Sequence, residues 1–180
     1  MIFPTDYKIV DIEEAIAVIE AIKNKLDAKF TEGNVKKLLD DNFVFGAGLT
    51  NGVFDILHPG HIFNLVFCKQ KCEFLTVLIN SDDCVRELKG PNRPIQPQLE
   101  RAQFVASLEC VGQVIIWDKL RITEALQFLR PNLWFKGGDY TLETLDQDER
   151  MMAQNIGVNI IFTPTFGDFS SSKRISELPN

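Results

Sequence analysis

The sequence predicts a doubly wound α/β domain, and two features of it carry that expectation. From Asn42 onward, short apolar runs alternate with longer amphipathic stretches of helical period. The runs are continuously apolar instead of alternating, as in parallel strands covered on both faces. A chain of 180 residues with 45% hydrophobic and 24% charged residues fits one globular domain of ordinary size and excludes a disordered or collagen-like one.

The elements follow in order. Residues 1–41 read as a helical extension and residues 42–180 as the α/β domain. Asp11 to Phe30 is an expected helix because Ile12, Ile16, Ile19 and Leu26 recur at helical spacing and Asp11 with Glu14 forms a capping-box pattern. A second short helix is expected over Gly33 to Asp40. Strands are expected at Phe43–Leu49, Phe74–Asn80, Val114–Trp117, Leu133–Lys136 and Asn159–Thr163, five in all. Between them, helices are expected at Gly60–Lys71, Gln98–Cys110, Ile122–Leu129 and Leu142–Ile156. The apolar stripe of the first helix suits either covering the domain's own sheet or pairing two subunits, so a homodimer stays open.

Acidic residues exceed basic ones by 25 to 19, a net charge of -6, which disfavours nucleic acid and anionic membrane surfaces as partners. A phosphate ligand therefore needs a local basic site. No leader-like segment and no apolar run of spanning length is present, and the chain reads as cytoplasmic. Cys68, Cys72, Cys84 and Cys110 lack the paired short spacings of a zinc site and read as reduced, mostly buried thiols.

In a doubly wound sheet, ligands bind beyond the carboxyl ends of the strands, so the loops there hold the candidate residues. Gly46, Gly48 and Gly52 have the wrong spacing and position for a dinucleotide fingerprint, and no phosphate-binding loop of the GxxxxGK[ST] type occurs. The stronger signal is His58-Pro59-Gly60-His61. Pro59 suits a first helical turn, Gly60 lets a ligand approach the backbone, and both imidazoles flank a helix N-terminus whose amides and dipole favour an anion. Ring N–H groups there can donate to phosphate oxygens, a pattern suited to a polyphosphate.

The run from Thr50 to His61, TNGVFDILHPGH, resembles the signature of the cytidylyltransferase-like, HxGH nucleotidyltransferase superfamily. Asn80-Ser81-Asp82, then Leu88-Lys89-Gly90 with Arg93-Pro94, and Lys136-Gly137-Gly138-Asp139-Tyr140 are similar to the adenylyltransferase domain of bifunctional heptose kinase/adenylyltransferases, the ADP-heptose synthases. The similarity spans about Phe43 to Leu178. It implies a Rossmann-like fold and transfer of AMP from ATP to a sugar 1-phosphate, giving an ADP-sugar and pyrophosphate with Mg²⁺ assisting and no organic cofactor.

The resemblance implies roles for individual residues. His58 and His61 would neutralise charge on the attacked α-phosphate, and Lys89, as a mobile-loop lysine, would neutralise the triphosphate or the incoming phosphate. Arg101 would face the phosphates, with Arg93 a weaker candidate; a surface ion pair with Glu100 is the alternative for Arg101. Asn51, Gly52, Phe54, Gly60, Lys136, Gly138 and Asp139 would contact the nucleotide. Ser170, Ser171 and Ser172 would cap a last helix and reach the β- and γ-phosphates. No protein ligand for the metal is evident, and Asp55 is an indirect candidate only.

Two departures from the family pattern stand out. The usual Ser-Thr-Thr is Ser170-Ser171-Ser172, and Trp117-Asp118-Lys119-Leu120-Arg121-Ile122-Thr123 replaces an acidic run ending in Asp-Thr-Pro. The acceptor therefore need not be a heptose. Rival readings are a CTP-dependent cytidylyltransferase acting on glycerol 3-phosphate or another phosphoalcohol, and an inactive nucleotide-binding module.

Overall fold

The computed structural model describes residues 8–29, 46–137 and 140–167. The helix expected over 33–40, residues 43–45 of the first expected strand and the side chain of Leu26 lie outside the described residues. The elements are α1 (Ile12–Lys29), β1 (Ala47–Gly52), α2 (Pro59–Lys69), β2 (Phe74–Asn80), α3 (Asp82–Lys89), α4 (Gln98–Ala106), β3 (Gln113–Trp117), α5 (Thr123–Leu129), β4 (Leu133–Lys136), α6 (Gln147–Asn155) and β5 (Asn159–Phe162).

The five strands make one parallel sheet in the order β3-β2-β1-β4-β5, a Rossmann-like arrangement. The chain winds outward from β1 to β3, then crosses back to place β4 on the other side of β1. That reversal creates a crevice beyond the carboxyl ends of β1 and β4, where open α/β sheets bind ligands.

The period of two along each strand divides the core between the two faces of the sheet. Leu75, Val77 and Ile79 of β2 join Leu133 and Phe135 of β4 against Leu65 and Cys68 of α2 and Ala102, Val105 and Ala106 of α4. Leu49, Leu78 and Trp134 point the other way, against Ala15 and Ile19 of α1, Ala125 and Leu126 of α5 and Ala153 of α6. Each large apolar side chain so buried contributes about 1.5–3 kcal/mol before entropy is counted. The stripe along α1 therefore covers the domain's own sheet. Ahead of α1, Val10 N donates to Val114 O at 3.0 Å and Ile9 bridges Val114 in parallel, which covers the outer edge of β3. Among the described residues, no helix is long and apolar enough to cross a membrane.

One helix is additional, and three elements differ from their expected bounds by more than two residues. β1 runs on to Gly52, so Asn51 and Gly52 end a strand instead of opening a loop. An extra helix, α3, follows β2: Ser81 caps it by accepting from Cys84 N, and its polar sequence hid it from a search for apolar periodicity. α4 stops at Ala106, with Ser107 as its C-cap, short of Cys110. α6 starts at Gln147 instead of Leu142 because Asp146 caps it by accepting from Asp148 N and Glu149 N.

Gly48 packs tightly against Cys72, in the turn between α2 and β2, and against Phe135 of β4. A Cβ there would lie 2.6 Å from Cys72 Sγ and 2.7 Å from the Phe135 ring, both buried. Gly48→Ala is expected to destabilise the fold by about 1–3 kcal/mol through overpacking. A lowered urea midpoint with an unchanged m-value would verify this, and an unchanged midpoint would refute it.

Candidate active site

The floor of the crevice is built from adjacent strand ends. Asn51, near the end of β1, accepts through Oδ1 from Trp134 Nε1 at 3.2 Å and from Lys136 Nζ at 3.5 Å. Lys136, which ends β4, is 7% exposed. Its ammonium lies 4.9 Å from the Trp134 ring centre, 4.7 Å from that of Tyr140 and 3.8 Å from Glu149 Oε2. A buried lysine tolerates this position because a carboxylate and two ring faces match its charge.

The loop leaving β1 is held in an unfavourable backbone shape. Phe54 and Ile56 both have φ of 52°, the left-handed region that non-glycine residues rarely adopt. Asp55 holds the loop there. Its buried carboxylate accepts from Ile95 N (3.0 Å), Gln96 N (3.0 Å) and Arg93 Nε (2.9 Å), while Ile56 N donates to Gln96 Oε1 at 3.1 Å. Burial raises the Asp55 pKa, but these backbone amides and Arg93 together hold it below the usual carboxylate value. Asp55 and Arg93 are thus a structural clamp. Asp55 and Arg93, expected at the acceptor, a phosphate or the metal, pair with each other at 2.7 Å, and Asp55 also lines the crevice.

The clamped loop delivers the two histidines. His58 is the N-cap of α2, its Nδ1 accepting from His61 N at 3.3 Å. An accepting Nδ1 puts the proton of neutral His58 on Nε2. The His58 and His61 rings stack with centroids 3.7 Å apart, and Phe54 lies against the other histidine at 5.2 Å. His61 Nδ1 is buried and has no hydrogen-bond partner among the described residues. His61 lines the crevice, so its ring can approach an anion bound at the α2 N-terminus. Gly60 sits in the first turn between the histidines.

Lys89 and Arg101 differ from expectation in opposite ways. Lys89 reaches the crevice as the last residue of α3 instead of from a loop. Partial desolvation and the nearby Arg93 guanidinium hold its pKa below the ordinary lysine value. Arg101 neither faces phosphates nor pairs on a helix surface. It is fully buried, and its guanidinium donates to Gln96 O (2.9 Å), Val53 O (2.6 Å), Asn80 O (2.8 Å) and Asp82 Oδ1 (2.7 Å). Those acceptors belong to the loop before α4, the histidine loop, the end of β2 and the start of α3, so Arg101 ties together the segments that carry His61 and Lys89.

The crevice has a volume of about 630 Å³. It gathers Asn51, Gly52, Phe54, Asp55, His61, Lys89 and Lys136 from the expected set, with His58 stacked behind His61. Gly138, Asp139, Ser170, Ser171 and Ser172 lie outside the described residues. Sequence reasoning did not single out Asn64, Arg121, Asp146 or Glu149, which also line it. The Asp146-x-x-Glu149 spacing is a capping-box signal that marks the start of α6, but pairing Glu149 with Lys136 needs the fold. Among the described residues, no group of three or more His, Cys, Asp or Glu is placed to hold a metal ion.

Burial, together with the neighbouring His58 and Lys89, lowers the His61 pKa from 6.5 to about 3. The unfolded chain takes up this proton near pH 6.5, whereas the folded protein refuses it until about pH 3. The contribution to stability is therefore full above pH 6.5 and is lost as pH falls toward 3, by up to about 1.4 kcal/mol per pH unit. Urea titrations of the wild type and His61→Gln between pH 7 and pH 4 would check this, and parallel curves would contradict it.

Comparisons with known proteins agree with this geometry. The chain matches the family model described as cytidylyltransferase-like over residues 49–177. It is 38% identical over 128 residues to the Bifunctional protein HldE of Nitrobacter hamburgensis and 40% identical over 129 residues to that of Hyphomonas neptunium. These matches cover 71% and 72% of this chain, which spans about a quarter, 26%, of each relative. Among solved structures, the lipopolysaccharide core biosynthesis protein of Thermoplasma volcanium superposes with a TM-score of 0.58 at 25% identity, covering 67% of this chain and 97% of that one. With the histidine pair at its helix N-terminus and the family match over most of its length, the chain belongs to the cytidylyltransferase-like family and is a nucleotidyltransferase.

Proposed function

We propose that this nucleotidyltransferase moves AMP from Mg·ATP to a sugar 1-phosphate similar to heptose 1-phosphate, releasing pyrophosphate and an ADP-sugar. The observation that carries this reading is the stacked His58–His61 pair at the N-terminus of α2, with His61 lining the crevice at the switch point of the sheet. Similarity to the HldE proteins supports the adenylyl branch, as does the resemblance of Lys136–Tyr140 to the ADP-heptose synthase motif.

In the proposed reaction, an acceptor phosphate oxygen attacks the α-phosphorus in line. The new P–O bond forms as the α–β bridging oxygen leaves with pyrophosphate. The acceptor phosphate, with a second pKa near about 6, is already anionic, so no base has to remove a proton. The protein's work is positioning and charge neutralisation. The α2 amides and the histidines serve the α-phosphate, and Lys89 the outer phosphates. Gly138, Asp139 and Ser170 to Ser172 are assigned to the nucleotide in the same reading. We place the reaction in the cytoplasm, where the buried thiols stay reduced.

The description of the matched family as cytidylyltransferase-like favours a second reading, CTP-dependent transfer, for which the acceptor would be glycerol 3-phosphate or another phosphoalcohol. Pyrophosphate release with Mg²⁺ separates the two when ATP and CTP are crossed against sugar 1-phosphates, heptose 1-phosphate and glycerol 3-phosphate. Turnover with ATP and a sugar 1-phosphate supports the proposal. Turnover with CTP alone overturns it, and silence across the panel favours an inactive nucleotide-binding module.

A further inference from the structure

Nucleotidyl transfer to a phosphorylated acceptor brings two anions into one crevice. The α2 N-terminus, His61 and Lys89 account for the nucleotide's phosphates. The acceptor's phosphate then needs a separate cationic group, placed where the nucleotide machinery does not already use it. Lys136 is a poor choice, because it is nearly buried and set against Glu149 and Asn51.

Arg121 fits. It enters the same crevice from the loop between β3 and α5, on the sheet face opposite α2 and α4. The backbone is pinned at that residue and the next: Trp117 Nε1 donates to Arg121 O at 2.9 Å, and Ile122 N donates to Glu149 Oε1 at 2.9 Å. Trp117 and Glu149 are both buried, so these anchors belong to the core. Among the described residues, the side chain is held at one point, by Arg121 Nε against Asp146 Oδ2 at 3.2 Å. Asp146 is itself fixed, its Oδ1 accepting from Asp148 N and Glu149 N. The Arg121 side chain is 63% exposed. A guanidinium oriented through Nε, with its outer N–H groups open to the crevice, matches the geometry of bidentate phosphate recognition.

We infer that Arg121 binds the phosphate of the acceptor substrate, and that Asp146 and Glu149 are positioning residues that aim it. The inference rests on the proposed transfer to a phosphorylated acceptor. It holds equally for a sugar phosphate or a phosphoalcohol, so it can fail or survive separately from the choice of ATP and a sugar 1-phosphate.

The test has two arms. In steady-state pyrophosphate release with Mg·ATP and heptose 1-phosphate, Arg121→Ala should raise the acceptor KM by about tenfold or more, with the ATP KM changed by less than about twofold. Arg121→Lys should recover part of the loss, because it restores charge without the fork. An unchanged acceptor KM, or a raised ATP KM instead, overturns the inference. If heptose 1-phosphate is not turned over, the substrate reading has failed and the second arm decides. Inorganic phosphate is titrated calorimetrically into the wild type and Arg121→Ala, each saturated with a non-hydrolysable ATP or CTP analogue. Weakening of phosphate binding by about tenfold in the variant supports the assignment. Equal affinity in both, or no binding to the wild type, overturns it.

Discussion

Replacing His61 with alanine is expected to lower turnover by about 10²–10³-fold, the usual loss when a positioned donor to developing charge is removed. The ring reaches the crevice, stacks on His58 and leaves a buried nitrogen unsatisfied. Stability at pH 7 should change by less than about 1 kcal/mol, because the open crevice lets water replace the ring. His58→Ala differs, since it also removes the acceptor for His61 N and should destabilise α2 by about 0.5–2 kcal/mol. Turnover and urea midpoints measured on both variants separate a chemical role from a capping role. A His61→Ala enzyme with near wild-type turnover would exclude His61 from the reaction.

Arg101→Met is expected to be the most destabilising single change described here. Methionine keeps much of the apolar stem but removes four hydrogen bonds at once. It leaves the carbonyls of Gln96, Val53 and Asn80 without that donor and strips Asp82 of its ion pair. Breaking a buried charged pair on one side typically costs about 3–5 kcal/mol. Arg101→Lys should fall between the two, because an ammonium cannot reproduce the planar fork. The urea midpoint gives the stability change, and stabilisation by Mg·ATP gives the effect on the site. Loss of the first without the second would mean that the crevice does not depend on this tie.

Much of the architecture was legible in advance because it rests on local pattern. Phe74–Asn80 and Leu133–Lys136 are strands at the bounds expected, since an uninterrupted apolar run allows few alternatives. The polar helix α3 escaped notice, because its apolar positions are too few for a periodic signal and its evidence was a single capping serine. The site shows the same division. His58, Gly60 and His61 were readable because Pro59 and the cap geometry act within one turn of helix. Arg101 was misread because a motif shows that a charge is present and not which way it points, and the pairing of Asp55 with Arg93 left no local trace for the same reason.

From the sequence alone came the parallel α/β class, most strand positions, the histidine-bearing helix start and the family resemblance. All of these depend on residues close together along the chain, where backbone geometry and hydrophobic period leave a direct trace. Only the tertiary structure decided the strand order, the covering of the sheet by α1, the turning inward of Arg101 and the meeting of Arg121, Asp146 and Glu149 at the crevice. Each of those is a contact between segments far apart in sequence. It is selected by which buried charges and carbonyls find partners once the sheet has closed, and no local pattern records that choice.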